Sequence, residues 1–108
     1  MTNRGKLLTA SDLIRMMEDQ RKPFHQWEED GIIMRDFDRG APWWLYKWHA
    51  DECDRIIWAT NRNDWFFQFD DENPIPLKRN QFLYIPKGLY HRLIPGKSKL
   101  TIAIKEYK

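Results

Sequence analysis

The sequence predicts an all-β domain, an antiparallel sandwich or barrel, with one helix near its start. Three observations carry that expectation. Beyond Pro23 the apolar residues recur at period two; turn signals cut this stretch into short runs; and 108 residues suit one domain, since domains commonly span about 100–150. A chain of this size buries about two thirds of its surface on folding, enough for a core without metal or disulfide.

In chain order, residues 9–21 predict the helix. Thr9 or Ser11 can cap it, Asp12 sits in its first turn, and Leu13, Ile14 and Met17 share a face. Arg21 and Lys22 suit its C-terminal end, and Pro23 stops it. Residues 1–22 are expected as a helical segment packed on a barrel of residues 23–108. Strands are expected over 31–37, 43–49, 56–60, 65–69, 82–85, 91–94 and 100–104. Between them stand Arg39-Gly40-Ala41-Pro42, Asn61-Arg62-Asn63-Asp64, Asn73-Pro74, Pro86-Lys87-Gly88 and Pro95-Gly96, all turn-forming combinations. Lys97, Lys99, Lys105 and Lys108 make the tail basic, as expected of a solvated edge strand protected by lysines.

Composition excludes several functions. Cys53 is the sole cysteine, so neither an intramolecular disulfide nor a CxxC zinc site can form. No uncharged stretch exceeds seven residues, as at Gly40 to Tyr46, against about 18 for a membrane span. The first ten residues hold no signal-peptide core, and a cytoplasmic protein is expected. A net charge of +2 is too small for a nucleic-acid footprint. Five scattered glycines build no phosphate loop. Six tryptophans are the oddity. On the strand expected over 43–49, alternation puts Trp43, Leu45, Lys47 and His49 on one face and Trp44, Tyr46 and Trp48 on the other. Such an outward trio needs a cover, and a homodimer interface is expected there.

Chemistry concentrates in Asn80 to Leu93, NQFLYIPKGLYHRL. A strand runs into Pro86, turns through Lys87-Gly88, and restarts with His91 near the beginning of the next strand. This Pro86-x-Gly88-x-x-His91 run resembles the second motif of the cupin superfamily, whose histidine points into the barrel. Upstream, Lys47 to Trp65 resembles a degenerate first motif. Its register makes Asp54 the carboxylate and His49 a histidine ligand, with Lys47 in place of the first histidine. The resemblance covers residues 43–104.

It implies a small antiparallel jelly-roll barrel and a metal held by His49, Asp54 and His91, with Glu52 an alternative carboxylate. Two imidazoles and one carboxylate favour Fe(II) and a dioxygenase-type reaction, while Zn, Mn, Ni or Cu remain open. Lys47 would bind an anionic group of a small organic substrate, or pair with Asp54. Trp43 and Trp58 are expected as pocket walls, with Tyr84 as a pocket or catalytic residue. Two other readings stay open. One is a metal-free sugar isomerase or epimerase using His49 or His91 as base with Tyr84 or Tyr90 as acid. The other is a non-enzymatic ligand-binding or oligomerising module.

Overall fold

The computed structural model describes residues 9–10, 24–38 and 46–108. They form eight strands: β1 (Phe24–Glu29), β2 (Ile32–Phe37), β3 (Asp54–Ala59), β4 (Phe66–Phe69), β5 (Ile75–Pro76), β6 (Leu83–Ile85), β7 (His91–Ile94) and β8 (Leu100–Tyr107). The helix expected over 9–21 falls outside the described residues apart from Thr9 and Ala10, as do Trp43 and Trp44. No helix among the described residues is long and apolar enough to cross a membrane.

The strands build two antiparallel sheets. One has the order β1-β2-β8-β3-β6 and the other β5-β4-β7. β8 therefore lies inside the larger sheet, between β2 and β3, and is not the lysine-guarded edge expected of the C-terminal run. Its Leu100, Ile102 and Ile104 supply one wall of the core, and that apolar face requires neighbours on both sides.

β1 was absent from the expected strands. It pairs with β2 across Asp30-Gly31, whose φ angles of 49° and 80° are both positive. That is the conformation of a two-residue type I′ hairpin, and an Asp-Gly pair adopts it readily. Conversely, the described part of the run expected as a strand over 43–49 holds one isolated bridge, His49 to His91.

The core lies between the sheets. Trp65, Phe67, Leu100 and Ile104 are fully enclosed, with Phe37, Ile57, Leu77 and Ile85 around them. Tyr46 belongs to this core at 8% exposure: its ring meets Trp65 edge-on at 5.3 Å and Phe37 at 6.0 Å. The outward trio that suggested a dimer thus loses Tyr46. Trp48 does face out, under the Arg92 guanidinium at 4.5 Å. Trp65 also anchors its loop, donating from Nε1 to the Ser98 carbonyl at 2.6 Å. Beside it the Asp64 carboxylate accepts from the Lys97 and Ser98 amides and the Ser98 hydroxyl at 2.8–3.0 Å.

Candidate metal centre and cavity

The Pro86–Leu89 turn sets the site. The Leu89 amide donates to the Pro86 carbonyl at 3.2 Å, and Gly88 takes a φ of 79° that side chains resist. Two further amides of this turn reach across. Lys87 N–H donates to Asp54 Oδ1 at 2.7 Å, and Gly88 N–H donates to the Asp51 carbonyl at 3.0 Å. The turn thereby pins the segment entering β3. A reciprocal pair of backbone hydrogen bonds, 3.0 and 2.9 Å, then joins His49 to His91.

These anchors bring His49, Asp51 and His91 together, with one donor atom from each within 4.8 Å of the others. His91 Nε2 stands 3.4 Å from Asp51 Oδ2, and His49 Nε2 stands 3.9 Å from Asp51 Oδ1. His91 is 3% exposed and stacks on Phe67, with ring centroids 5.3 Å apart, whereas the His49 side chain lies at the mouth.

Each imidazole has its tautomer fixed by the backbone. His49 Nδ1 lies 3.0 Å from the Lys47 carbonyl, and His91 Nδ1 lies 2.8 Å from the Leu89 carbonyl. A carbonyl can only accept, so Nδ1 carries a proton in each ring and Nε2 is the atom turned toward Asp51. Burial, with the field of His49, pulls the His91 pKa below its usual value, which favours the neutral form. The Asp51 carboxylate is enclosed too, its side chain 7% exposed, and Oδ2 has no hydrogen-bond partner among the described residues. In its neutral form His91 points an Nε2 lone pair at a carboxylate oxygen 3.4 Å away. That confrontation is unfavourable unless a cation sits in it. The donor set fits a metal: bonds of about 2.0–2.2 Å to imidazole and carboxylate require only a small closing of these separations.

The carboxylate differs from the one expected. Asp54 stands at the start of β3 with its side chain on the outer face, where it holds the Lys87 amide. Glu52 is exposed and outside the cluster. Asp51 takes the position, two residues after His49, because alternate residues of an extended segment point the same way. The spacing His49-Ala50-Asp51 was the signal in the sequence.

The outer-face placement extends along β3. Arg55, Ile57 and Ala59 point inward, and Trp58 packs edge-on against Phe82 at 4.9 Å. Trp58 thus lines a shallow outer groove with Ile56 and Tyr107, not the cavity. Tyr84 and Tyr90, each 55% exposed, are surface residues, and the Tyr84 hydroxyl lies beside Asp54. Trp43 lies outside the described residues.

The cluster opens into a cavity of about 260 Å³. Phe24, Phe37, Ile57, Phe67, Leu93, Ile102 and Ile104 give it an apolar wall, while Lys47, Arg35, Arg55 and Tyr46 bring polar groups. Lys47 lines the cavity, and its pairing with Asp54 is not formed. Sequence reasoning missed Arg35, Tyr46 and Arg55. The Tyr46 hydroxyl is buried without a hydrogen-bond partner among the described residues, and burial, assisted by Asp38, pushes its pKa up to about 12, so it stays protonated.

Compared by sequence, the chain matches no family model and no curated protein. Its fold does match solved structures. All of this chain and 54% of a DMSP lyase from Ruegeria pomeroyi superpose with a TM-score of 0.65 at 15% identity, so the chain spans about half the length of that enzyme. A cupin-like protein from Thermotoga maritima matches at a TM-score of 0.56 and 21% identity, over 76% of this chain and 65% of that one. An RmlC-like cupin family protein with a double-stranded β-helix fold, from Methanocaldococcus jannaschii, matches at 0.58 and 13% identity, over 77% of each chain. At these identities the likeness is one of fold. Two antiparallel sheets closing over a core, with solved cupins as structural neighbours, give this chain the fold of the cupin superfamily.

Proposed function

We propose that this chain is a metal-dependent enzyme acting on a small anionic organic molecule, with His49, Asp51 and His91 holding the ion. The observation that carries the reading is His91 Nε2 facing, at 3.4 Å, a buried Asp51 Oδ2 that has no hydrogen-bond partner among the described residues. A two-histidine, one-carboxylate set suits Fe(II) and leaves positions open for substrate and dioxygen, so a dioxygenase-type oxidation is the favoured reaction. When bound, the metal supplies Lewis acidity and, as Fe(II), redox chemistry.

The chain's own residues have separable roles. Arg55 fixes the Asp51 carboxylate through Oδ1 at 3.1 Å, leaving Oδ2 for the ion. Lys47 at the mouth attracts an anion. Tyr46, protonated and without a hydrogen-bond partner among the described residues, donates a hydrogen bond to a bound ligand. Phe37, Phe67 and Leu93 keep water from the interior. The metal-free alternative loses support because Tyr84 and Tyr90, its expected acids, do not line the cavity.

Elemental analysis after anaerobic reconstitution tests the reading. Near-stoichiometric metal is expected in the wild-type protein and its loss in His91→Ala and Asp51→Asn. A folded wild-type protein that takes up no metal overturns it and leaves a ligand-binding module.

A further inference from the structure

The cavity contains a second cation whose circumstances differ from those of Arg55. On β2 the alternation turns Ile33, Arg35 and Phe37 to the interior. Ile33 and Phe37 pack in the core, and Arg35 lines the cavity between them. The Arg35 backbone lies opposite Gln26 on β1 and Ile102 on β8, so this guanidinium rises from the middle of an apolar wall.

Its plane is fixed on one edge and one face. Nε donates to Gln26 Oε1 at 2.7 Å, and the guanidinium carbon lies 4.3 Å from the centre of the Phe24 ring. Neither Nη group makes a hydrogen bond to the described residues, and no carboxylate of those residues comes within ion-pair distance of Arg35. Arg55, by contrast, holds Asp51 and Glu106 together. Burial and the field of Arg55 both work against the Arg35 charge, and Asp51 and Glu106 offset them from a distance. Among the described residues, the charged groups lining the cavity are Arg35, Lys47 and Arg55 against Asp51. A bound divalent ion would deepen that excess.

A part-buried guanidinium with a locked plane and two Nη donors unused by the described residues matches a carboxylate, whose two oxygens accept the paired N–H bonds. A phosphate would call for more donors than one such fork. The rest of the wall is aromatic and aliphatic, and about 260 Å³ lies below the roughly 300–1,000 Å³ of most drug-sized sites. We propose that Arg35 is the anion-recognition residue of this cavity and that its ligand is a small monocarboxylate with an apolar body. The proposal rests on the reading of the cavity as the substrate site, and its test is separable from that of the metal.

Benzoate, its neutral isostere benzamide, and inorganic phosphate are titrated calorimetrically into the full chain, metal-free and Fe(II)-reconstituted under argon. Benzoate is expected to bind at least about tenfold more tightly than benzamide or phosphate, the loss typical of a site whose charged hydrogen bond goes unmade. Arg35→Gln is expected to erase the preference for acid over amide while retaining its metal, and Arg35→Lys to restore part of it. Equal binding of benzoate and benzamide, tighter binding of phosphate, no benzoate binding, or an unchanged preference in Arg35→Gln overturns the proposal. If Arg35→Gln does not fold, the wild-type comparison and Arg35→Lys decide. Arg35-dependent selectivity in a protein that takes up no metal retires the metal and keeps the carboxylate. Metal uptake without such selectivity does the reverse.

Discussion

Arg55 bridges Asp51 and Glu106: Nη1 lies 3.1 Å from Asp51 Oδ1, and Nε and Nη2 lie 3.0 and 2.6 Å from Glu106 Oε2. Burial alone would weaken its charge, but the Glu106 hydrogen bonds and the fields of both carboxylates outweigh it and raise its pKa. The guanidinium thus orients, from behind, the carboxylate of the candidate metal cluster. Arg55→Gln is expected to lower metal affinity about 10–100-fold, the usual effect of removing such support. Competition with a metal chelator measures it, and unchanged affinity would show that Asp51 needs no orienting partner.

Asp51 and Asp54 should behave as opposites. Asp51→Asn is expected to abolish metal uptake with little change in the strands. Asp54→Asn should keep the metal and lose about 1 kcal/mol, because the charge-assisted hydrogen bond to Lys87 is weakened. Elemental analysis and urea unfolding on the same preparations separate the two, and metal loss in Asp54→Asn would contradict the geometry.

Asp64 predicts an acid limb in stability. Amide and hydroxyl hydrogen bonds from Lys97 and Ser98 pull its pKa from 3.8 to about 2. The unfolded chain then binds more protons between these values, so stability rises with pH across that window. The contribution is present above the unfolded pKa and is lost as pH falls through the folded one. Asp64→Asn should therefore flatten the dependence of melting temperature on pH between about 4 and 2. An identical slope in the variant would assign the acid limb to other groups. Gly96 packs so closely on Asp64 that a Cβ there would collide with its carboxylate, so Gly96→Ala should open the same latch at every pH.

The β1–β2 hairpin depends on Gly31. Its Cβ would meet nothing, so space is no obstacle, but its φ of 80° is. Gly31→Ala is expected to cost about 1 kcal/mol in urea unfolding through backbone strain alone. A neutral result would mean that the turn relaxes to another type.

Much of the scaffold is written plainly in the chain, and the exceptions have physical reasons. Six of the expected runs contain or overlap observed strands, because apolar alternation and Gly/Pro punctuation report a half-buried sheet directly. β1 is not apparent from periodicity because Glu28, Glu29 and Asp30 break its apolar alternation, although Asp30-Gly31 is a hairpin pair. The expectation of Asp54 and Trp58 at the pocket turns the faces of β3 the wrong way round for a related cause. Arg55 looks like an outward residue, yet its carboxylate partners Asp51 and Glu106 hold it at the interior, while Ile56 and Trp58 offer no polarity contrast with Ile57 and Ala59. An ion pair inside a sheet inverts the rule that finds the inside. His91 was legible because its position follows from the Pro86–Gly88 turn; Asp51 was carried only by its spacing from His49, which the resemblance to a first motif, with Asp54 as carboxylate, passed over.

His49 and Asp51 occupy one short stretch, tied through the backbone to His91 and Gly88. An ion bridging that stretch to β7 would cross-link one rim of the barrel, much as a rivet joins two plates. Loading would then register far from any reaction, as slower deuterium exchange at the amides of His49, Gly88 and His91. Occupancy could be followed in this way with no substrate in hand.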